Sequence, residues 1–383
     1  MIRRRMSARR TILSVVGARP NFMKVAPVAA ALRRRSDDFE HVLVHTGQHY
    51  DANMSDVFLD QLGVGEPDFL LGVGSASHAA QTARIMERLE PVLVEVRPDV
   101  VLVPGDVNST LAASLSAAKL ELPVGHIEAG LRSFDRTMPE ELNRKLADLV
   151  SDYLFIHSPE ARDNLLREGC AEGRIHHVGN TMIDTLVAMQ PRIDPAAAAE
   201  ANGLEPGNYL VVTLHRPALV DGPLLVEVLD ALERVSDGLP VVFPAHPRTL
   251  KALQRAGLTG GSAGLRMLPA IGYVEFLGLL AGAAGALTDS GGIQEETTFL
   301  GIPCFTLRAN TERPITCEQG TNTLLGLAPE RVLEIPALIA AASARDASVP
   351  PLWDGHAAER LVDVLIHEQA AEALAASPLP RAV

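Results

Sequence analysis

Cysteine is scarce in this chain: Cys170, Cys304 and Cys317 are odd in number, far apart and form no C-x-x-C pair. That excludes a disulfide framework, supplies no zinc-ligand spacing and points to a reducing, cytoplasmic compartment. Positive charge is also in short supply. Lys and Arg number 34 against 47 Asp and Glu, for a net charge of −13, which excludes a broad nucleic-acid-binding face. No apolar run approaches the ~20 residues that span a bilayer. The basic start MIRRRMSARR leads into a turn and not into the apolar core of a signal peptide. Familiar nucleotide fingerprints are missing as well. There is no G-x-x-x-x-G-K-[ST] loop, and Gly72-Val73-Gly74 lacks the third glycine of the dinucleotide motif. Neither ATP nor NAD is indicated, and no cofactor or metal is expected.

What is present is a rhythm. With 383 residues, 47% hydrophobic and 21% charged, the chain suits two ordinary globular domains. Short β-branched runs, from Ile12–Val16 and Val42–His45 to Gly285–Thr288 and Cys304–Leu307, alternate with amphipathic stretches such as Phe22–Arg35, Thr82–Val96 and Tyr273–Ala281. This describes parallel sheets covered by helices on both faces, an α/β class with two Rossmann-like domains. The rhythm breaks at residues 191–208, where Pro, Gly and Asn surround an alanine-rich patch. The expected organisation is therefore an N-terminal domain over 1–190, a linker over 191–208 and a C-terminal domain over 209–360. A helix and tail over 361–383 then pack back on the N-terminal domain.

Open parallel sheets bind ligands beyond the carboxyl ends of their strands, and the chemically interesting residues of this chain fall there. After the first strand, Arg19 and Lys24 place two cations at a helix start, where phosphates are attracted. Asp106 follows the third strand. On its own, an Asp in that position often caps the next helix. Glu128 lies among small and apolar residues in His126-Ile127-Glu128-Ala129-Gly130, and Glu140-Glu141 open a further helix. Helix-dipole pairing accounts for one of that pair without any function. Three carboxylate positions at the mouth of one sheet are harder to explain without a mechanism or a cation.

In the second half, His215-Arg216 and His246-Pro247-Arg248 each end a strand, the pattern of an anionic ligand site. Ser290-Gly291-Gly292 runs from a strand into a helix start whose backbone amides can cradle a diphosphate. Glu296, one turn on, is placed to accept ribose hydroxyls, and Arg313 adds another cation.

Together GARPNFMK, HTGQHYD, PGDVNST, GHIEAGLRSFD, MPEELNR, GNTMIDTL, TLHRP, PAHPR, TDSGGIQEE and TERP resemble the non-hydrolysing UDP-N-acetylglucosamine 2-epimerases, in order and over nearly the whole chain. The resemblance implies the GT-B fold, two Rossmann-like parallel-sheet domains facing a central cleft. It also implies a homodimer, a UDP-sugar substrate, and interconversion of UDP-GlcNAc and UDP-ManNAc without metal or NAD. By position it implies Asp106, Glu128, Glu140 and His215 as catalytic residues. Arg19, Ser290, Gly291, Gly292 and Glu296 match residues that hold UDP, with Phe276 near the uracil and Lys24, His246 and Arg313 lining the same cleft. The implied path eliminates UDP in an anti sense to 2-acetamidoglucal, then re-adds it with C2 protonated on the opposite face. One of Asp106, Glu128 and Glu140 takes the C2 proton.

The chain departs from the best-known members at Val107, where a threonine hydroxyl is usual, and at Pro217. Gln48 and His49 resemble part of those members' activator site, but Asp51 replaces its second glutamine, which implies that the activator is not used. VHTGQHYDANMSDVF and LRSFDRTMPEE also resemble relatives acting on UDP-2,3-diacetamido-2,3-dideoxyglucuronic acid. Other readings are a hydrolysing epimerase, a GT-B glycosyltransferase and a non-catalytic nucleotide-sugar sensor.

Overall fold

The computed structural model describes residues 9–47, 61–255, 257, 264–342 and 348–376, with side chains as far as His367. The basic start and Gln48, His49 and Asp51 lie outside the described residues. The chain divides into two units: residues up to Thr185 together with those from Pro351 onward, and Leu186–Pro350.

The first unit holds a seven-stranded parallel sheet in the order β3-β2-β1-β4-β5-β6-β7. Its strands are β1 (Arg10–Val16), β2 (Phe39–His45), β3 (Phe69–Leu70), β4 (Val100–Pro104), β5 (Val124–Ile127), β6 (Tyr153–Ile156) and β7 (Ile175–His177). Because side chains alternate along a strand, adjacent apolar residues serve opposite faces. Ile12, Leu102 and Phe155 pack with Val28 and Leu32 of the helix Arg19–Arg34 and with Leu361 and Leu365 near the C-terminus. Leu13, Val101 and Val103 pack instead with Leu89 and Leu93 of the helix His78–Val96. Near-continuous Val, Ile and Leu runs are the consequence of burying both faces.

The second unit repeats the plan with six parallel strands in the order β10-β9-β8-β11-β12-β13. They are β8 (Leu210–Thr213), β9 (Val241–Pro244), β10 (Leu265–Leu268), β11 (Gly285–Thr288), β12 (Cys304–Thr306) and β13 (Asn322–Leu324). β3 and β13, not anticipated from the sequence, are edge strands of 2 and 3 residues, too short to show any alternation.

Two segments sit differently from a simple reading by composition. Residues 191–208 contain a helix, Pro195–Ala201, started by Asp194 and closely packed on the helix Tyr273–Ala281 within the second unit. The chain re-enters the first unit at Pro351 and not after residue 360. Trp353, 2% exposed, donates its indole N–H to the His157 carbonyl at 2.9 Å. Asp184 accepts from the N–H groups of Ala357 and Ala358 at 3.1 and 2.7 Å, capping the helix Ala357–Ala376. Among the described residues no helix is long and apolar enough to cross a membrane.

Candidate active site

In each sheet two sequence-distant strands are hydrogen-bonded neighbours at the centre, β1 with β4 and β8 with β11. Chain direction across the sheet reverses at these pairs, which opens a crevice beyond their carboxyl ends. The residues after all four strands are the ones the sequence singled out.

In the first unit, Asn21 fixes the turn after β1. Its Oδ1 accepts from the N–H groups of Gly17 and Ala18 at 3.1 Å each, and its Nδ2 donates to the Pro104 carbonyl at the end of β4 at 3.1 Å. Lys24, one turn into the helix, is buried and pairs through Nζ with Glu128 Oε2. Gly105 makes that pairing possible. Its φ is +64°, and a Cβ there would lie 2.9 Å from Lys24 Nζ and 3.5 Å from Glu128 Oε2. Glu128 itself has φ +73°, a left-handed conformation that costs a non-glycine residue about 1–2 kcal/mol. Strain of this kind tends to cluster at functional sites.

Asp106 is half-buried, and its Oδ2 accepts from Arg144 Nη2 at 2.5 Å while its carbonyl accepts from Asn143 at 2.9 Å. The same guanidinium reaches Glu141 at 2.9 Å. Glu141 is buried and also accepts from Ser133 N, Ser133 Oγ and Phe134 N. Its neighbour Glu140 is half-buried, with no hydrogen bond or ion pair to the described residues. The helix Pro139–Val150 thus turns one acid inward as scaffold and leaves the other accessible.

Beneath Asp106 lies a buried chain of charges. His126 is fully buried, with Nδ1 2.6 Å from Asp148 Oδ1 and Nε2 2.7 Å from the Gly105 carbonyl. Arg132 bonds Asp148 at 2.7 Å and Glu168 through two nitrogens at 3.0 and 2.5 Å. Burial pushes the Asp148 carboxyl up, but His126 and Arg132 outweigh it and hold its pKa below the usual carboxylate range. Arg19, by contrast, is exposed at the start of its helix.

In the second unit Thr213 and Thr288, ending β8 and β11, bond through their hydroxyls at 2.7 Å. Asp289 follows, buried. Its Oδ2 accepts from the backbone N–H groups of His215 and Arg216 at 2.8 and 2.7 Å, and its Oδ1 lies 3.1 Å from His215 Nδ1. The His215 and His246 rings are 6.0 Å apart. Ser290 precedes the helix Gly291–Leu300. Arg313 lies so close to its first turn that a Cβ on Gly291 would sit 2.3 Å from Nη1 and displace the guanidinium. Arg313 is held by Glu295 at 2.5 Å and Glu312 at 3.6 Å. Burial raises the Glu312 pKa, but Arg308, Arg313 and Arg216 more than reverse that and keep it far below the usual range. Glu296 is buried and accepts from the Tyr273 hydroxyl at 2.8 Å. Phe276, on the same helix as Tyr273, is partly buried against Leu279 and Val211.

The chain's similarity to known proteins matches this arrangement. A family model described as UDP-N-acetylglucosamine 2-epimerase matches residues 30–366. The chain belongs to the UDP-N-acetylglucosamine 2-epimerase family. Among its relatives, a protein of Methanococcus maripaludis named UDP-N-acetylglucosamine 2-epimerase is 37% identical over 364 residues, 93% of this chain and 98% of that one. A UDP-2,3-diacetamido-2,3-dideoxy-D-glucuronate 2-epimerase of Pseudomonas aeruginosa is 41% identical over 330 residues, covering 84% and 90%. The Methanocaldococcus jannaschii UDP-GlcNAc 2-epimerase, solved with UDP-GlcNAc and UDP, superposes with a TM-score of 0.86 at 37% identity, covering 93% of this chain and 99% of that one. The two parallel-sheet α/β domains are the GT-B form of these epimerases.

Within the first unit of this epimerase-family chain, Lys24, Asp106 and Glu128 converge on the Gly105 turn. Within the second, His215, Ser290, Gly291 and Arg313 follow the central strands. Arg144, Asn143 and Asp289 went unweighed as site residues in the sequence, although each lies inside a quoted motif. For Arg144 the one local signal is its place three residues after Glu141, about one helical turn.

Proposed function

We propose that this chain is a non-hydrolysing 2-epimerase that interconverts UDP-GlcNAc and UDP-ManNAc. The observation that carries this reading is the Glu128 carboxylate, held on left-handed backbone by Lys24 over Gly105, the residue preceding Asp106. Two carboxylates with cationic partners, after the neighbouring strands β4 and β5, are suited to taking and returning a proton. The C2 hydrogen of GlcNAc is not beside a carbonyl carbon and resists direct removal. Breaking the C1–O bond first makes C1 oxocarbenium-like and the C2 hydrogen labile. Elimination in an anti sense yields 2-acetamidoglucal and UDP; rotation and re-addition with C2 protonated on the other face complete the epimerisation.

In this reading Asp106, Glu128 and Glu140 share the C2 proton transfers and the stabilisation of C1, and His215 assists departure and return of UDP. Arg19, Lys24, His246, Phe276, Ser290, Gly291, Gly292, Glu296 and Arg313 hold the UDP-sugar, the backbone amides and cations stabilising the leaving diphosphate. No metal or organic cofactor enters the scheme, and the enzyme works in the cytoplasm. It acts as a homodimer, for which the helix Pro139–Val150 offers an apolar face with Leu142 and Leu149 52% and 66% exposed.

A second substrate, the 2,3-diacetamido uronic acid sugar, is favoured by the 41% identity to the Pseudomonas aeruginosa relative. NMR of the protein in deuterated water with each UDP-sugar alone tests both. Epimer formation with deuterium at C2 supports the mechanism and identifies the sugar; epimerisation without exchange, or release of free sugar, refutes it.

A further inference from the structure

Beside the Lys24–Glu128 pair the first unit contains a shallow recess that opens to solvent. Ile127, Phe155 and Val178 give it apolar walls, and Asn180 closes one side. Asn180 is 4% exposed, and its amide orientation is set by its neighbour: Oδ1 accepts from the Met182 N–H at 2.9 Å. Nδ2 is therefore turned elsewhere. It is shielded from water and meets no acceptor among the described residues. A buried donor without a partner is costly, so such a group is expected to find an acceptor in the working state. The helix Thr181–Met189 that follows is pinned by Thr185 Oγ1 donating to the Met23 carbonyl at 2.5 Å.

We propose that Asn180 recognises the acetamido group at C2 of the sugar. Its Nδ2–H donates to the acetamido carbonyl oxygen, and the acetamido methyl rests on the apolar walls. The inference rests on the 2-epimerase reading in one respect. If Glu128 works on the C2 hydrogen, the group entering the recess beside Glu128 is the other substituent of C2. Both candidate sugars carry an acetamido group there, so the assignment holds for either. An amide seat also provides discrimination, since a site built around a hydrogen-bond donor rejects ligands that leave the donor unpaired.

Calorimetric titration of the full chain with UDP-GlcNAc, UDP-glucose and UDP tests this by affinity and not by rate. Asn180→Asp retains the acceptor for Met182 N–H while removing the donor, so the helix start survives; Asn180→Ala removes the side chain without adding charge. The wild type should bind UDP-GlcNAc more tightly than UDP-glucose. Both variants should lose roughly 5- to 10-fold of that preference, the worth of one hydrogen bond, and bind UDP alone as the wild type does. Undiminished preference in both variants, as when water alone fills the recess, would overturn the proposal, and so would a wild type that does not distinguish the two sugars. Failure of the 2-epimerase reading is read separately, as absent C2 exchange in the wild type.

Discussion

Asp289 sets the loop that carries His215: its Oδ2 accepts the backbone N–H groups of His215 and Arg216 at 2.8 and 2.7 Å, and its Oδ1 lies 3.1 Å from the His215 Nδ1. One buried group thus anchors the loop and lies beside the ring. A proton on Nδ1 would face that carboxylate and leave Nε2 for the substrate in the mechanism proposed above.

Asp289→Asn should separate the two functions. The amide oxygen can still accept the backbone N–H groups, but its NH2 now faces Nδ1 and favours the opposite tautomer. kcat should fall by about 10²–10⁴-fold, while UDP affinity by calorimetry and the melting temperature change little. Unchanged kcat would show that the tautomer of His215 does not matter.

Lys24 and Glu128 form an ion pair whose side chains are 8% and 7% exposed. Removing one partner of a buried pair costs about 3–5 kcal/mol because the other charge is stranded. Lys24→Met should therefore lower the melting temperature strongly. The Lys24→Met/Glu128→Gln double variant should recover part of that loss while remaining inactive. Additive losses in thermal melts would contradict a coupled pair.

Glu140 and Glu141 are adjacent and should behave in opposite ways. Glu140 has no partner among the described residues, so Glu140→Gln should leave stability within about 0.5 kcal/mol and reduce kcat by about 10²-fold or more. Glu141 accepts from Ser133, Phe134 and Arg144, and Glu141→Gln should cost stability first, through the Arg144 guanidinium it shares with Asp106. Thermal melts and initial rates on the same preparations distinguish the two.

His41 gives a pH signature. Burial, then the nearby Arg33, push its pKa down to about 4, against a smaller opposing pull from Asp68. The unfolded chain, near 6.5, thus binds more protons between those values. Its contribution to stability is complete above about pH 6.5 and is lost as pH falls towards 4, with a slope approaching ~1.4 kcal/mol per pH unit. His177 is shifted the same way, chiefly by burial. His41→Gln should flatten the slope without removing it. An unaltered slope in denaturation curves across pH 4–7 would refute the assignment.

Much of this arrangement was legible in the chain itself. Runs such as Val100–Pro104 can only be strands buried on both faces, and parallel strands place the residues that follow them at one edge. Asp106, Glu128, His215 and Ser290 could therefore be located by position alone. Residues that act through folding partners were less visible. Glu140 and Glu141 are chemically identical in sequence, and the helix phase alone decides that Glu141 turns inward. Arg144 and Asp289 are not marked by sequence as partners of Asp106 and His215, because a long-range contact leaves no local pattern. β3 and β13 were missed because 2- and 3-residue edges have no periodicity to read.

The sequence by itself determined the class of fold, the doubled α/β plan and the strand ends on which function rests, since hydrophobic periodicity and turn chemistry are local properties. Tertiary structure alone decided how the polar groups pair: Lys24 with Glu128, Arg144 with Asp106, and Asp289 beside His215, each between residues that follow different strands. Coulomb energy and desolvation depend on distance and burial, and neither quantity exists until the chain has folded.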